Sequence, residues 1–443
     1  MSETTLIKDC TIVNEGVVKE SDLLIKNGRI EKIASGLSTD GITIDGSGLH
    51  LLPGVIDDQV HFREPGLTDR GNIKSESLAA IAGGTTSFMD MPNVLPPTLT
   101  NDLWLEKINI ASRHASANFS FYMGSSNENI DEIRAINPLE VCGLKVFMGA
   151  STGNLLVDNQ ESLDSIFREA PVIITTHCED TPMIKAKEQE YIDKYGNDIP
   201  IEAHAEIRSR EACYKSSKKA VDLATKFNSN LHILHISTKE ELDLFSAMPL
   251  ENKKITAEVC VPHLFFSSED YLTKGTLIKC NPSIKHIEDQ LALKAALKSG
   301  LIDFVATDHA PHVLEGKANH YMDCPSGMPS IEHTLIVVLE MVKNGELSLE
   351  HAARVTSHNI ATRFKIKDRG FIREGYWADL VLVDLNKQHT VRNQDSNYFC
   401  GWSPFDGETF SSSIAGTFVN GEHVFSRGDF LKPSKGMQLE FDR

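Results

Sequence analysis

No two cysteines in this 443-residue chain stand in a C-x-x-C spacing; the eight are scattered at 10, 142, 178, 213, 260, 280, 324 and 400. A disulfide framework or a clustered thiolate metal site is therefore not expected, and reduced, mostly buried thiols of a cytoplasmic protein are. No apolar run approaches the ~20 residues that cross a bilayer. The opening stretch, MSETTLIKDCTIVNEG, has no basic segment leading into an apolar one, so no secretory leader is expected. Positive charge is short: 44 Lys and Arg against 62 Asp and Glu give a formal net charge of −18. Such a chain repels a phosphate backbone, which argues against a nucleic-acid partner. It leaves room for a small anionic substrate, because a local cationic site can lie inside an acidic shell. A Gly-rich phosphate loop after the first strand-like run is also missing, which argues against an open doubly wound sheet.

What is present is a large stock of core-forming residues, 41% hydrophobic with 24% charged, in a length that fits one large barrel plus a smaller accessory domain. Residues 4–50 alternate apolar and turn residues, with Asn27-Gly28 and Asp45-Gly46 read as hairpin turns. The segments 375–385 and 411–428, with Asn420-Gly421, read the same way. The two ends, 1–52 and 366–443, are expected to build one composite β domain, a small sandwich. Between them, 53–365 alternates helix-favouring stretches, such as 206–227 and 238–248, with eight short apolar runs. These runs cover 51–62, 84–92, 118–124, 143–149, 171–179, 231–237, 254–261 and 301–309. That pattern predicts an α/β fold, a (β/α)₈ barrel of the TIM type.

Active sites of such barrels lie at the C-terminal ends of the strands. The residues there form a non-random set: Asp57, Gln59, His61 and Arg63 on the first strand, Asn93 on the second, and Lys145 on the fourth. His177 follows on the fifth, His235 on the sixth, and Asp308, His309 and His312 on the eighth. Three histidines and an aspartate converging on one mouth suit Zn²⁺. Lys145, inside the apolar run GLKVFMG, has two readings. It is an ammonium paired with Asp308 or Asp57, or a neutral amine that reacts with CO₂ to give a carbamate. His204, His286, His320 and His333 fall in helical or loop segments and read as surface or packing residues. His232 shares LHILHIS with His235 but, three positions away on a strand, is expected to face the other side.

PGVIDDQVHFREPGLTDRG (53–71) resembles the first-strand signature of dihydroorotases in the amidohydrolase superfamily, P-G-x-x-D-x-H-x-H-x-R-x-P-G. AGGTTSFMDMPNVLPPT (82–98), GLKVFMG (143–149), THCED (176–180), HILHIST (232–238), KCNPSIK (279–285) and TDHAPH (307–312) follow in the order of that family. The resemblance implies a metal-dependent cyclic amidohydrolase that interconverts dihydroorotate and N-carbamoyl-aspartate in pyrimidine synthesis. His61 would bind one metal (α), His177 and His235 a second (β), and a carboxylated Lys145 would bridge them. Asp308 would touch the α metal and serve as general base and acid. Arg63, Asn93, Asn281 and His312 would hold a small anionic cyclic amide. A homodimer is the expectation from symmetry frequencies.

Three positions depart from the family pattern. Gln59 replaces the first histidine, and an amide oxygen is a weaker zinc ligand than imidazole. One zinc is therefore expected on the Lys145, His177 and His235 side, with the α position weak or replaced. His263 follows VP where the family has a second histidine and reads as a helix-start residue or a loop gate. Lys285 stands where arginine is usual and loses its bidentate geometry. Hydantoinases, dihydropyrimidinases and allantoinases share the fold and the bridging lysine; Arg63 separates them, because their substrates lack the carboxylate of dihydroorotate. A dihydroorotase-like scaffold without activity is the remaining reading.

Overall fold

Parallel strands buried on both faces need apolar side chains at nearly every position, and the eight apolar runs all become such strands. They are β1 (Val55–Val60), β2 (Thr85–Asp90), β3 (Asn118–Phe121, continued by Met123–Gly124) and β4 (Leu144–Phe147). After them come β5 (Ile174–His177), β6 (Leu231–Ile233), β7 (Ile255–Cys260) and β8 (Phe304–Ala306). The structure, a computed structural model, describes residues 4–149 and 155–443. Neighbouring strands pair in parallel from β1 round to β8. The ring closes where His61 N donates to the His309 carbonyl at 2.7 Å and His309 bridges Val60. This is the (β/α)₈ barrel that the sequence predicts.

The helix expected over 206–227 forms as Arg210–Phe227. Ser209 caps its start, Asn228 ends it in the left-handed region, and Ala212, Cys213, Ser216, Ala220, Leu223 and Ala224 are buried at helical spacing. The stretch 238–248 does not form the helix its pattern suggests. It makes only a 3₁₀ turn, Glu240–Leu244. The Glu241 carboxylate is drawn inward to accept from Thr238 N (3.2 Å), Thr238 Oγ1 (2.9 Å) and Ser217 Oγ (2.6 Å), which favours a tight local turn over a continued helix.

Both ends of the chain share one nine-stranded sheet. His50–Pro53 pairs antiparallel with Leu380–Asp384, so the N-terminal strands and the C-terminal strands Ser413–Val419 and Glu422–Ser426 meet along that seam. Asn27-Gly28 and Asn420-Gly421 form hairpin turns with both residues at positive φ. Their tips press together so closely that a Cβ on Gly421 would lie 2.5 Å from Gly28 Cα, which only glycine permits. Asp45-Gly46 does not make the expected hairpin. Its strand, Ile42–Asp45, pairs in parallel with Thr4–Asn14 instead.

The segment 366–443 is divided between this sheet and the barrel. Trp402 Nε1 donates to the His312 carbonyl at 2.8 Å, and the Tyr398 hydroxyl meets His333 Nδ1 at 2.8 Å. Residues 437–441 run beside β3, with Leu439 N bonded to Phe119 O at 2.8 Å. The cysteines are all unpaired, and seven of the eight are buried. No described helix is long and apolar enough to cross a membrane.

Candidate functional site

Backbone strain marks the mouth of the barrel. Arg63, His235 and Asp308 follow the ends of β1, β6 and β8, and each holds a positive φ, 68°, 40° and 50°. Side chains other than glycine and asparagine rarely adopt that region, and its cost is tolerated where a group must be aimed. The turn at His235 also moves its ring out of simple strand alternation.

His177 and His235 meet directly, Nδ1 to Nε2 at 3.0 Å. His177 Nε2 lies 2.9 Å from Glu179 Oε2, and a carboxylate can only accept, so the ring proton is on Nε2 and the Nδ1 lone pair faces inward. Burial lowers the pKa of both imidazoles, and for His235 the neighbouring His177 and Lys145 add to it. Two neutral rings with converging nitrogens are a fitting pair of ligands for a dication. Glu179 is itself fully buried. Burial alone would raise its carboxyl, but Arg208, in a short ion pair with it, and His177 hold it down at about 2. It remains an anion that fixes the His177 tautomer. Glu179→Gln is expected to weaken metal binding by about 10–100-fold, measured by chelator competition; unchanged affinity would remove this role.

Lys145 is 1% exposed. Among the described residues no hydrogen bond reaches its Nζ, which lies over the Phe147 ring at 4.7 Å. Burial pushes its pKa down to about 8, against the pull of Asp308 and Glu258. The paired-ammonium reading fails on geometry, because neither Asp308 nor Asp57 makes an ion pair with it. Asp57 is taken up by Thr307, with Oδ2 2.6 Å from its hydroxyl. A buried amine easily made neutral fits carbamate formation.

On the other side of the mouth His61 Nδ1 bonds Asn93 Oδ1 at 2.8 Å, and His61 Nε2 lies 3.0 Å from Asp308 Oδ1. Asn93 thus orients His61 and has its amide nitrogen left for a ligand. Gln59 is turned away from metal binding. Its Nε2 donates to Asp308 Oδ1 at 3.2 Å, while its Oε1 faces Cys260 Sγ at 3.6 Å. The residue in the place of the first histidine therefore draws on Asp308 rather than adding a ligand beside it.

The Arg63 side chain is buried, its Nε donates to Pro311 O at 3.1 Å, and its Nη2 lies 3.1 Å from His312 Nε2. Among the described residues no carboxylate pairs with it. Burial, with Arg70 adding, lowers it to about 10, still a cation at neutral pH. Asn281 Oδ1 and His263 Nδ1 are buried and have no hydrogen-bond partner among the described residues. Unmatched buried polar atoms are costly, so an amide and an imidazole left open beside a guanidinium without a counter-charge indicate a ligand that satisfies them. Lys285, by contrast, is buried against Ser283, with Nζ 2.7 Å from its hydroxyl.

The other histidines are structural. His309 Nδ1 accepts from Ser330 N at 3.0 Å and its Nε2 meets Glu76 at 2.9 Å. His204 bridges Tyr321 and the Cys280 carbonyl, and His286 caps the helix Ile287–Ser299. His232 does not face outward as alternation suggests. It reaches Glu258 of β7 and Asp58 of β1, and side chains of β1 and β6 can meet only through the barrel interior. Sequence reasoning placed no role on Glu179, Arg208, Asp58, Glu258 or Cys260. Glu179 alone had a signal, two residues beyond His177 in THCED.

Comparison with known proteins agrees with this geometry. The sequence pattern of the Amidohydrolase family matches residues 50–424. A dihydroorotase of Halobacterium salinarum is 33% identical, covering 98% of this chain and 99% of its own. An allantoinase of Bacillus velezensis is 29% identical over the same shares, 98% and 99%. Among solved structures, the L-hydantoinase (dihydropyrimidinase) from Arthrobacter aurescens superposes with a TM-score of 0.94. It has 27% sequence identity and covers 99% of this chain and 100% of its own.

Proposed function

Because the chain belongs to the amidohydrolase family and buries an unpaired guanidinium at its barrel mouth, we propose that it is a dihydroorotase. The reaction is the reversible opening of the cyclic amide of dihydroorotate to N-carbamoyl-L-aspartate, a step of pyrimidine synthesis. Membership makes it a metal-dependent cyclic amidohydrolase; the substrate is the proposed part. Arg63 carries that choice. Dihydroorotate bears a carboxylate that hydantoin, dihydrouracil and allantoin lack, and a buried arginine with no acid of its own is matched by one.

His177, His235 and a carboxylated Lys145 would hold a zinc, and His61 with Asp308 offers a second, weaker position. When bound, the metal supplies Lewis acidity to the ring carbonyl and acidifies water. Arg63, with His312 behind it, fixes the substrate carboxylate, while Asn281 Oδ1 accepts from a ring N–H. The Asp308 carboxylate, oriented through Oδ1 by His61 and Gln59, has no partner for Oδ2 among the described residues, and Oδ2 would take the proton of the attacking water. It passes that proton to the ring nitrogen as the C–N bond breaks. In the reverse direction the same oxygen takes a proton from the carbamoyl nitrogen as the ring closes and water leaves.

Purified protein assayed with dihydroorotate, dihydrouracil, hydantoin and allantoin is expected to favour dihydroorotate by kcat/KM. Faster turnover of any uncharged ring, or no turnover of any of the four, would overturn the assignment.

A further inference from the structure

One layer below the mouth, inside the barrel, three side chains from three strands point at one another. Asp58 of β1, His232 of β6 and Glu258 of β7 are fully buried, and one ligand atom from each lies within 4.8 Å of the others. His232 Nε2 is 3.0 Å from Glu258 Oε2 and 3.7 Å from Asp58 Oδ2. Among the described residues neither oxygen of Asp58 has a hydrogen-bond donor, unless Glu258 shares a proton with it. Two carboxylates in a dry interior, one wholly unsatisfied, are held there only if a proton or a cation lies between them.

The surroundings of His232 allow it to serve a cation. Thr256 Oγ1 lies 3.0 Å from His232 Nδ1; it accepts from Arg363 Nε at 2.9 Å and directs its own proton to the Leu231 carbonyl at 3.4 Å. Without an ion Nε2–H donates to Glu258 Oε2; with an ion bound, Thr256 can receive the ring proton on Nδ1, which turns the Nε2 lone pair toward both carboxylates. Burial keeps this ring neutral, lowering its pKa to about 4. A lone pair and two carboxylate oxygens aimed at one point are a metal-ligand set.

We propose that Asp58, His232 and Glu258 form a second, interior site for a transition dication such as Zn²⁺ or Mn²⁺, separate from the site on Lys145, His177 and His235. Donor separations of 3.0 and 3.7 Å suit bonds of about 2.1 Å to a common centre. The ligand types, one imidazole and two carboxylates, suit either ion. The two layers are in contact. Glu258 Oε1 accepts from His235 N at 3.3 Å and lies 4.0 Å from Cys260 Sγ, which in turn meets Gln59. The ion would stiffen the floor beneath His235 and neutralise the acids under Lys145. This inference does not depend on which cyclic amide is turned over.

The test is anomalous diffraction, at the edge of the metal used, on crystals of the full-length protein stripped with chelator and reloaded with Zn²⁺ alone or Mn²⁺ alone. A peak bonded to Asp58, His232 and Glu258 is expected in at least one of the two. Asp58→Asn and Glu258→Gln should each lose that peak and one metal equivalent per chain, while the peak at His177 and His235 stays. No peak among the three residues in the unaltered protein, with either metal and whatever binds at the mouth, overturns the proposal and leaves a proton shared by Asp58 and Glu258. Full metal content in both variants would overturn it as well.

Discussion

Arg63→Met is expected to lower kcat/KM for dihydroorotate by about a thousandfold, about 4 kcal/mol, with the metal content unchanged. The magnitude follows from leaving a substrate carboxylate in a buried site without its counter-charge, a cost of about 2–5 kcal/mol for charged pairs of this kind. Arg63→Lys should recover part of the loss, since an ammonium keeps the charge but not the fork that grips both oxygens. Steady-state kinetics in both directions, with an uncharged ring as control, read the effect. A drop below about tenfold, or an equal drop on the uncharged ring, would mean that Arg63 holds the loop at Pro311 and His312 rather than the substrate.

Lys145→Ala is expected to lower activity by about a thousandfold or more, because it removes the anion that a carboxylated Lys145 would turn toward the metal. Propionate or another short carboxylic acid should restore a fraction of the rate to the alanine variant by occupying the vacated anionic position. In the unaltered protein the amine must lose its proton to react with CO₂. Since burial brings its pKa to about 8, carbamate formation in metal-free protein should quicken as pH rises toward 8. An alanine variant with full activity, or one indifferent to added carboxylate, would exclude the carbamate.

The barrel was legible because strands buried on both faces must be apolar, and each of the eight runs is bounded by turn or helix residues. His61, His177 and His235 were legible as candidates because they fall at strand ends, where polarity interrupts an apolar run. Glu179 was not, because its meaning comes from Arg208, which approaches it only in the fold. Asp58 beside Asp57 looks like a repeated letter in the chain. Only the closed barrel shows that Asp57 is taken up by Thr307 while Asp58 turns inward to His232. The failed expectation for His232 has the same origin. Strict alternation holds within a strand, and β6 ends at Ile233, so the positive φ of His235 resets the direction. Asp45-Gly46 failed as a hairpin because turn chemistry cannot tell a return to the preceding strand from a crossing to an earlier one.

The seam that joins the two ends of the chain has a kinetic consequence. Asn14 Nδ2 bonds the carbonyl of Ile372, 358 positions away in the sequence. Closing a loop of that length in an unfolded chain is entropically expensive, while a folded barrel already holds 54 and 357 close together, as Ser357 Oγ bonded to Gly54 O at 3.0 Å shows. The barrel therefore has to form first, and the composite sheet is the late event of folding. A chain caught before that step would expose the edges of His50–Pro53 and Leu380–Asp384, and it is through those edges that it would aggregate.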